Sequence, residues 1–381
     1  MKKILTLLFA IASIATLSAQ ENFPRTIDIR AWEAGVTKAG HIQGVAIDAK
    51  HEYIYVSFTT VLVKLDLQGR VVGSVSGILG HLGCLEFNNE DGLLYGSLEY
   101  KNDVIGRGIM KQEGVSKQLK TGFYIAIFDV EKIDRIGMNA EKDGVMTTVL
   151  LKQVGKDYEA KVKTKSGDTI EHRYACSGID GVAFGPAFDG SGKNLLTVAY
   201  GIYGDTERTD NDYQVLHQYD ISKWAKYKAP LSQEKMHRQG PLKPQAQYFA
   251  YTGSTNYGVQ NLNYDKERNI WLMACYPGKK NCFSNFTLFA IDGNKAAITR
   301  PLYGVAYQKE GKVLQLWGGR TDRKNNEVRG WQNKLGAMGV CSLGNGYYYL
   351  ASGGKTPQGR TARLHLVRFV GQRLVAFEMV Q

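Results

Sequence analysis

The feature that most constrains this 381-residue chain is a weak internal repeat. Each copy has a glycine-framed start, a short apolar strand, a polar turn and an aromatic-rich strand. It reads HIQGVAID…EYIYVSF over 41–58, HLGCLEFNNEDGLLYGSL over 81–98 and IDGVAFGPAFDGSGKNLLTVAY over 179–200. It returns as YGVQNLNYDKERNIWLMACY over 257–276 and MGVCSLGNGYYYLASGG over 338–354. Three copies run on into a further strand with an Asp near its end: VLVKLDLQG (61–69), YIAIFDV (124–130) and FTLFAID (286–292). Such a unit cannot bury both faces alone, and packing successive four-stranded sheets around an axis solves that problem. The repeat therefore predicts an all-β chain, a β-propeller.

Composition agrees. The sequence has 43 Gly, 22 Tyr and 14 Phe but only 8 Pro, and almost no helical stripe, which suits many short strands joined by tight turns. Repeat starts near 44, 83, 181, 258 and 339 leave gaps wider than one blade of ~40–50 residues after the first. Further strand-like runs fill these gaps: VMTTVLLKQ (145–153), YEAKVKT (158–164), TIEHRYAC (169–176), VLQLWGG (313–319) and ARLHLVRFV (362–370). Counting them predicts seven blades of four antiparallel strands. Residues 204–214 and 320–334 are too polar for core strands and read as long loops, where binding residues collect. One short helix is expected within 224–240.

The first residues have the form of an export signal. Lys2 and Lys3 precede an apolar run from Ile4 to Leu17, and Leu17-Ser18-Ala19 is a small-residue cleavage site. Residues 1–19 are expected to be a signal peptide and 20–381 a single propeller domain, periplasmic or secreted, with no membrane span. The formal charge of +12 favours an acidic glycan as partner. No nucleic-acid motif is present, and nucleic acid is not expected as a partner. Of the five cysteines, Cys84 and Cys341 read as buried thiols, and Cys275 and Cys282 flank a turn that a hairpin disulfide would suit. No CxxC pair or His/Cys cluster points to zinc, so no metal ligand is assigned. Asp205, Asp210 and Asp212 have the composition of a calcium loop without its spacing, which leaves Ca²⁺ as the one cofactor to consider.

Nucleophile elbow, P-loop, Rossmann and HExxH motifs are absent. In propellers the loop entering each innermost strand lines the axial funnel, and here those positions are polar or aromatic: His41 and Gln43, His81, Ser177 and Asp180, Asn256 and Tyr257, and Asn333 and Lys334. Histidine at two such starts suits proton transfer. Arg208, Arg320, Arg323 and Arg329 are candidates to bind a sugar carboxylate, and Trp331 to stack on a sugar face. No pair of carboxylates stands at repeat-equivalent inner positions, which argues against ordinary two-carboxylate hydrolysis.

The stretches AGHIQGVAIDAKHEYIYVSFTTVLVKLDLQGRVVGS, GHLGCLEFNNEDGLLYGSLEY, NYGVQNLNYDKERNIWLMACYPG and GAMGVCSLGNGYYYLASGGK carry a resemblance that extends over the mature chain. It is to the seven-bladed propeller enzymes of gut Bacteroides that act on L-rhamnose-α-1,4-D-glucuronate caps of arabinogalactan, as in gum arabic. The resemblance implies either a retaining α-L-rhamnosidase, a glycoside hydrolase with one catalytic His, or a polysaccharide lyase that eliminates rhamnose from C4 of the glucuronate. The hydrolytic His of that pattern falls at Gln43, which cannot shuttle a proton, so the lyase is the reading favoured. It assigns His81 as base or acid, Tyr257 as its partner, and Arg320 or Arg329 to the uronate carboxylate. His41, Gln43, Arg208 and Trp331 are expected to bind substrate. A non-catalytic glycan-binding propeller is the alternative of another class.

Overall fold

The structure, a computed structural model, describes residues 23–116 and 119–381. The expected signal peptide lies outside the described residues. The strands form a β-propeller of five blades, not seven. The innermost strands are Ile42–Ile47, His81–Asn88, Cys176–Pro186, Thr255–Asp265 and Val340–Gly344, so each clear copy of the repeat supplies one blade.

The miscount has a physical origin. Of the additional runs, 145–153 and 362–370 carry ordinary strands of blades 2 and 5, parts of 158–164 and 169–176 form a hairpin outside the blades, and 313–319 joins the end of an edge insertion to the last strand of blade 4. Ile298–Pro301 and Glu310–Leu314, inserted between the last two strands of blade 4, join the outer edge of blade 3, where Phe249 and Ala250 pair in parallel with Val313 and Leu314. Met138–Asn139, inserted in blade 2, adds in the same way to the edge of blade 1. Lys161–Lys163 and Thr169–Glu171 form a separate hairpin. Two α-helices lie between strands, α1 (Val104–Gln112) and α2 (Lys152–Tyr158). Within 224–240 only the end of a 3-10 helix, Ile221–Lys226, appears. The two polar segments are largely loops, although 320–334 contains a small pairing of Arg320–Thr321 with Arg329–Gly330.

The repeat glycines are explained by crowding at the axis. A Cβ on Gly44 would stand 2.8 Å from Cys84 Cα of the next blade, and one on Gly181 would stand 2.9 Å from Val259 Cγ1. Successive inner strands approach backbone to backbone there, which only glycine permits. Apolar side chains fill the wedges between blades in separate clusters, for example Tyr55, Leu62, Leu85 and Phe128 between blades 1 and 2, and Val56, Val63, Tyr349 and Leu364 between blades 5 and 1. The ring closes with both ends of the chain: Thr26–Arg30 and Phe377–Met379 pair with different halves of Gly359–Phe369 in blade 5.

All five cysteines are free. Cys84 and Cys341 are buried, as expected, but Cys275 is buried while Cys282 is exposed, and the anticipated hairpin disulfide is not formed. Among the described residues no helix is long and apolar enough to cross a membrane.

Candidate active site

Four inner strands are irregular where they meet the axial cavity. Register shifts fall between Ile42 and Gly44, between Leu82 and Leu85, between Cys176 and Gly178 and again between Ile179 and Val182, and on either side of Val259. A bulge breaks the strict in–out alternation of a strand and re-aims its side chains. Gln43, Ser177, Asp180, Tyr257 and Gln260 all lie in or beside these bulges, and all line one cavity of about 420 Å³ together with His41, His81, Glu99 and Lys101.

His81 is the pivot. Its Nδ1 lies 3.6 Å from Asp180 Oδ1 and 3.8 Å from Glu99 Oε1, beyond hydrogen-bonding distance. Both His81 Nδ1 and Asp180 Oδ1 are buried without a partner among the described residues. Around them the other polar atoms are held firmly. Lys101 Nζ pairs with Glu99 Oε1 and donates to the Ser177 carbonyl at 2.8 Å, Glu99 Oε2 accepts from the Ile179 N–H at 3.0 Å, and Asp180 Oδ2 accepts from Gln260 Nε2 at 3.0 Å. Gln260 also donates to the Tyr257 carbonyl at 3.0 Å. That bond braces a tyrosine at φ +63°, a conformation that bulky side chains rarely adopt. At the rim, Gln43 Nε2 bridges His41 Nε2 (3.1 Å) and Thr59 Oγ1 (3.2 Å).

These surroundings set the charge states. Burial, helped by the fields of Lys101 and His41, pushes His81 down to about 3, so its imidazole is neutral near pH 7. Burial raises both Glu99 and Asp180. The Lys101 ammonium opposes that rise at both, but it bonds Glu99 directly, whereas the one side-chain partner of Asp180 is a neutral amide and Glu99 pushes it further up. Of the two carboxyls, Asp180 is the one raised further. The cavity thus sets a neutral imidazole beside a carboxyl raised well above its ordinary value, two titratable groups pushed in opposite directions by their surroundings.

The sequence-predicted residues divide cleanly. His41, Gln43, His81 and Tyr257 come together at the axis. Arg320 and Arg329 do not join them: they lie on the small 320–330 pairing, with Arg320 over the Phe286 ring at 5.5 Å, and no arginine is among the described residues that line the cavity. Arg208 is used up by its surroundings, bidentate to Asp210 of its own loop at 2.9 Å and donating to the carbonyls of Glu171 and His172 beside it. Trp331 is buried between blades 4 and 5, with its indole N–H donating to the Gln372 carbonyl at 2.7 Å. The calcium reading fails because its carboxylates are already engaged. Asp210 pairs with Arg208, Asp212 with Lys280 at 2.6 Å, and Asp205 accepts the Glu207 N–H. Among the described residues no cluster of His, Cys, Asp and Glu fits a metal ion.

Sequence reasoning passed over Glu99 and Lys101. Glu99 lies near the end of the second strand of blade 2 and Lys101 just beyond it, beside the start of blade 3, so Glu99 makes with Asp180 a carboxyl pair that no repeat-equivalent position announces. An ionisable residue closing the apolar strand LLYGSLEY was the available signal.

No protein-family model matches the chain. No curated protein matches it either. Solved structures that resemble it include the PQQ domain of pyranose dehydrogenase from Coprinopsis cinerea (11% identity over 84% of this chain and 81% of that one, TM-score 0.33). A Trichoderma reesei carbohydrate-active enzyme of family AA12 matches at 11% identity over 84% and 80%, TM-score 0.35. A gluconolactonase from Xanthomonas campestris matches at 10% over 85% and 72%, TM-score 0.31. At these TM-scores the likenesses carry no argument about the chemistry of this chain.

Proposed function

We propose that the chain is an exported glycan-active enzyme that works by proton transfer at the axial cavity. The reaction we infer is β-elimination of L-rhamnose from C4 of a D-glucuronate. The observation that carries the reading is the geometry: the His81 imidazole stands 3.6 Å from the Asp180 carboxyl, each has a buried atom without a partner, and both residues line the axial cavity. His81 lines that cavity, so Nε2 is the ring nitrogen free to take the C5 proton. The C5–H electron pair becomes the C4=C5 double bond, the C4–O bond breaks, and the Tyr257 phenol protonates the departing oxygen. Asp180, as a neutral acid, hydrogen-bonds the uronate carboxylate and damps the charge that would otherwise make C5–H hard to ionise. This last role replaces the one expected of Arg320 or Arg329. In glucuronate the C5 proton and O4 lie on one face, so one cluster reaches both.

A hydrolytic reading has one observation in its favour, the carboxyl pair Glu99 and Asp180 around His81. Incubation with a rhamnosyl-glucuronate disaccharide separates the readings. Rhamnose released together with the ultraviolet absorbance of an unsaturated uronate supports elimination. Rhamnose without that chromophore sinks elimination in favour of hydrolysis, and retained affinity with no product leaves a glycan-binding propeller.

A further inference from the structure

The cavity has two tiers of opposite character. Its floor is the polar cluster just described. Its wall on the blade 2 side is α1, which contributes Val104, Ile105, Gly108 and Ile109. Val104 is 79% exposed and Ile105 37%, and Tyr257, which lines the same cavity, is 39% exposed. Apolar surface left in water forgoes the gain that burial brings, and three such side chains stand around this one cavity.

α1 is not placed there for the core. Ile109 is its one buried residue, and Gly106 and Gly108 weaken it as a helix. It is nonetheless tied to the floor. Its N-cap Asp103 accepts from the Gly106 N–H at 2.9 Å and from the Tyr203 hydroxyl at 3.3 Å, and stands 3.6 Å from the Lys101 ammonium that pairs with Glu99. The helix is thereby fixed as a wall of the cavity.

We propose that this face of α1 is a subsite for a hydrocarbon group, so that the substrate is an amphipathic saccharide: an acidic sugar on the floor and an alkyl or aryl substituent against Val104 and Ile105. This rests on the acidic-sugar reading above. Two facts select a small substituent as the occupant. The apolar wall is continuous with the polar floor in a single cavity of about 420 Å³, the size of a small ligand's pocket. Its few apolar side chains fall far short of the ~1,000 Å² that a stable protein interface buries.

The test is calorimetric titration of the full chain with methyl and phenyl β-D-glucuronide. The phenyl compound should bind about tenfold more tightly, as burying one ring edge implies. The Val104→Ser/Ile105→Ser double variant should lose that preference while binding the methyl compound as before, with an unchanged circular-dichroism spectrum. Equal affinities, or a preference that survives the double substitution, overturn the proposal. If neither glucuronide binds, the acidic-sugar reading falls, and the uncharged methyl and phenyl β-D-glucosides then decide the subsite alone: a phenyl preference lost in the double variant supports it, and none refutes it.

Discussion

At the scale of single residues, the site is defined by what is left unsatisfied. A buried polar atom without a partner costs about 1–3 kcal/mol, and here two such atoms, His81 Nδ1 and Asp180 Oδ1, face each other while the polar groups around them are well bonded. The cost is tolerable where a ligand is to complete the network. On the proposed mechanism activity needs His81 neutral and Asp180 protonated. With His81 held at about 3 and Asp180 raised, activity should rise as pH climbs through the imidazole pKa and fall as it passes that of the carboxyl. Asp180→Asn keeps a hydrogen-bond donor but cannot ionise, so the alkaline limb of the pH–rate profile should lose the step set by the carboxyl and move up to the one set by the Tyr257 phenol, while the acid limb remains. His81→Asn should lower kcat by about 100-fold or more. An alkaline limb unchanged in Asp180→Asn would remove Asp180 from the mechanism.

At the scale of elements, the inner strands combine two demands. They must approach closely enough to form a narrow axis, and they must turn polar side chains into it. Glycine meets the first and the bulges meet the second. Gly44→Ala should cost about 1–3 kcal/mol, read as a fall of several degrees in Tm, because its methyl group meets the backbone at Cys84, which cannot move aside without shifting blade 2. The same two devices decide what the sequence makes legible. The glycine-framed starts are regular in sequence, so the five inner strands and the axial placing of His41, Gln43, His81 and Tyr257 could be read directly. The insertions that cross to a neighbouring blade, such as Ile298–Pro301 and Glu310–Leu314, look locally like any other strand, since nothing in their own residues names the edge they will join. The blade count was inflated by runs such as 145–153 and 362–370, which are later strands of blades already counted. Glu99 and Lys101 were missed because their place beside Asp180 is created by contact between blades. The polar loops misled in the opposite sense: the guanidinium of Arg208 was spent on neighbouring backbone, and a side chain's chemistry does not reveal whether it is free.

At the scale of the whole molecule, the ring is held by the meeting of its ends. Thr26–Arg30 supplies an outer strand to blade 5, with Asp28 paired to Arg363 across the join. That surface ion pair adds little, and the apolar side chains of Ile27 and Ile29 do the holding, both almost fully buried. Removing residues 23–30 should therefore lower Tm sharply and reduce the cooperativity of unfolding, whereas Asp28→Asn should shift Tm by less than about 2 °C. Comparable losses from the two changes would refute this account of closure. The arrangement also sets a clock on folding. Strand partners more than three hundred residues apart must find one another last, and such distant pairing is slow. A chain threaded through a narrow pore from its head would emerge as a row of unjoined sheets, and would become a finished ring only when its tail had cleared the opening.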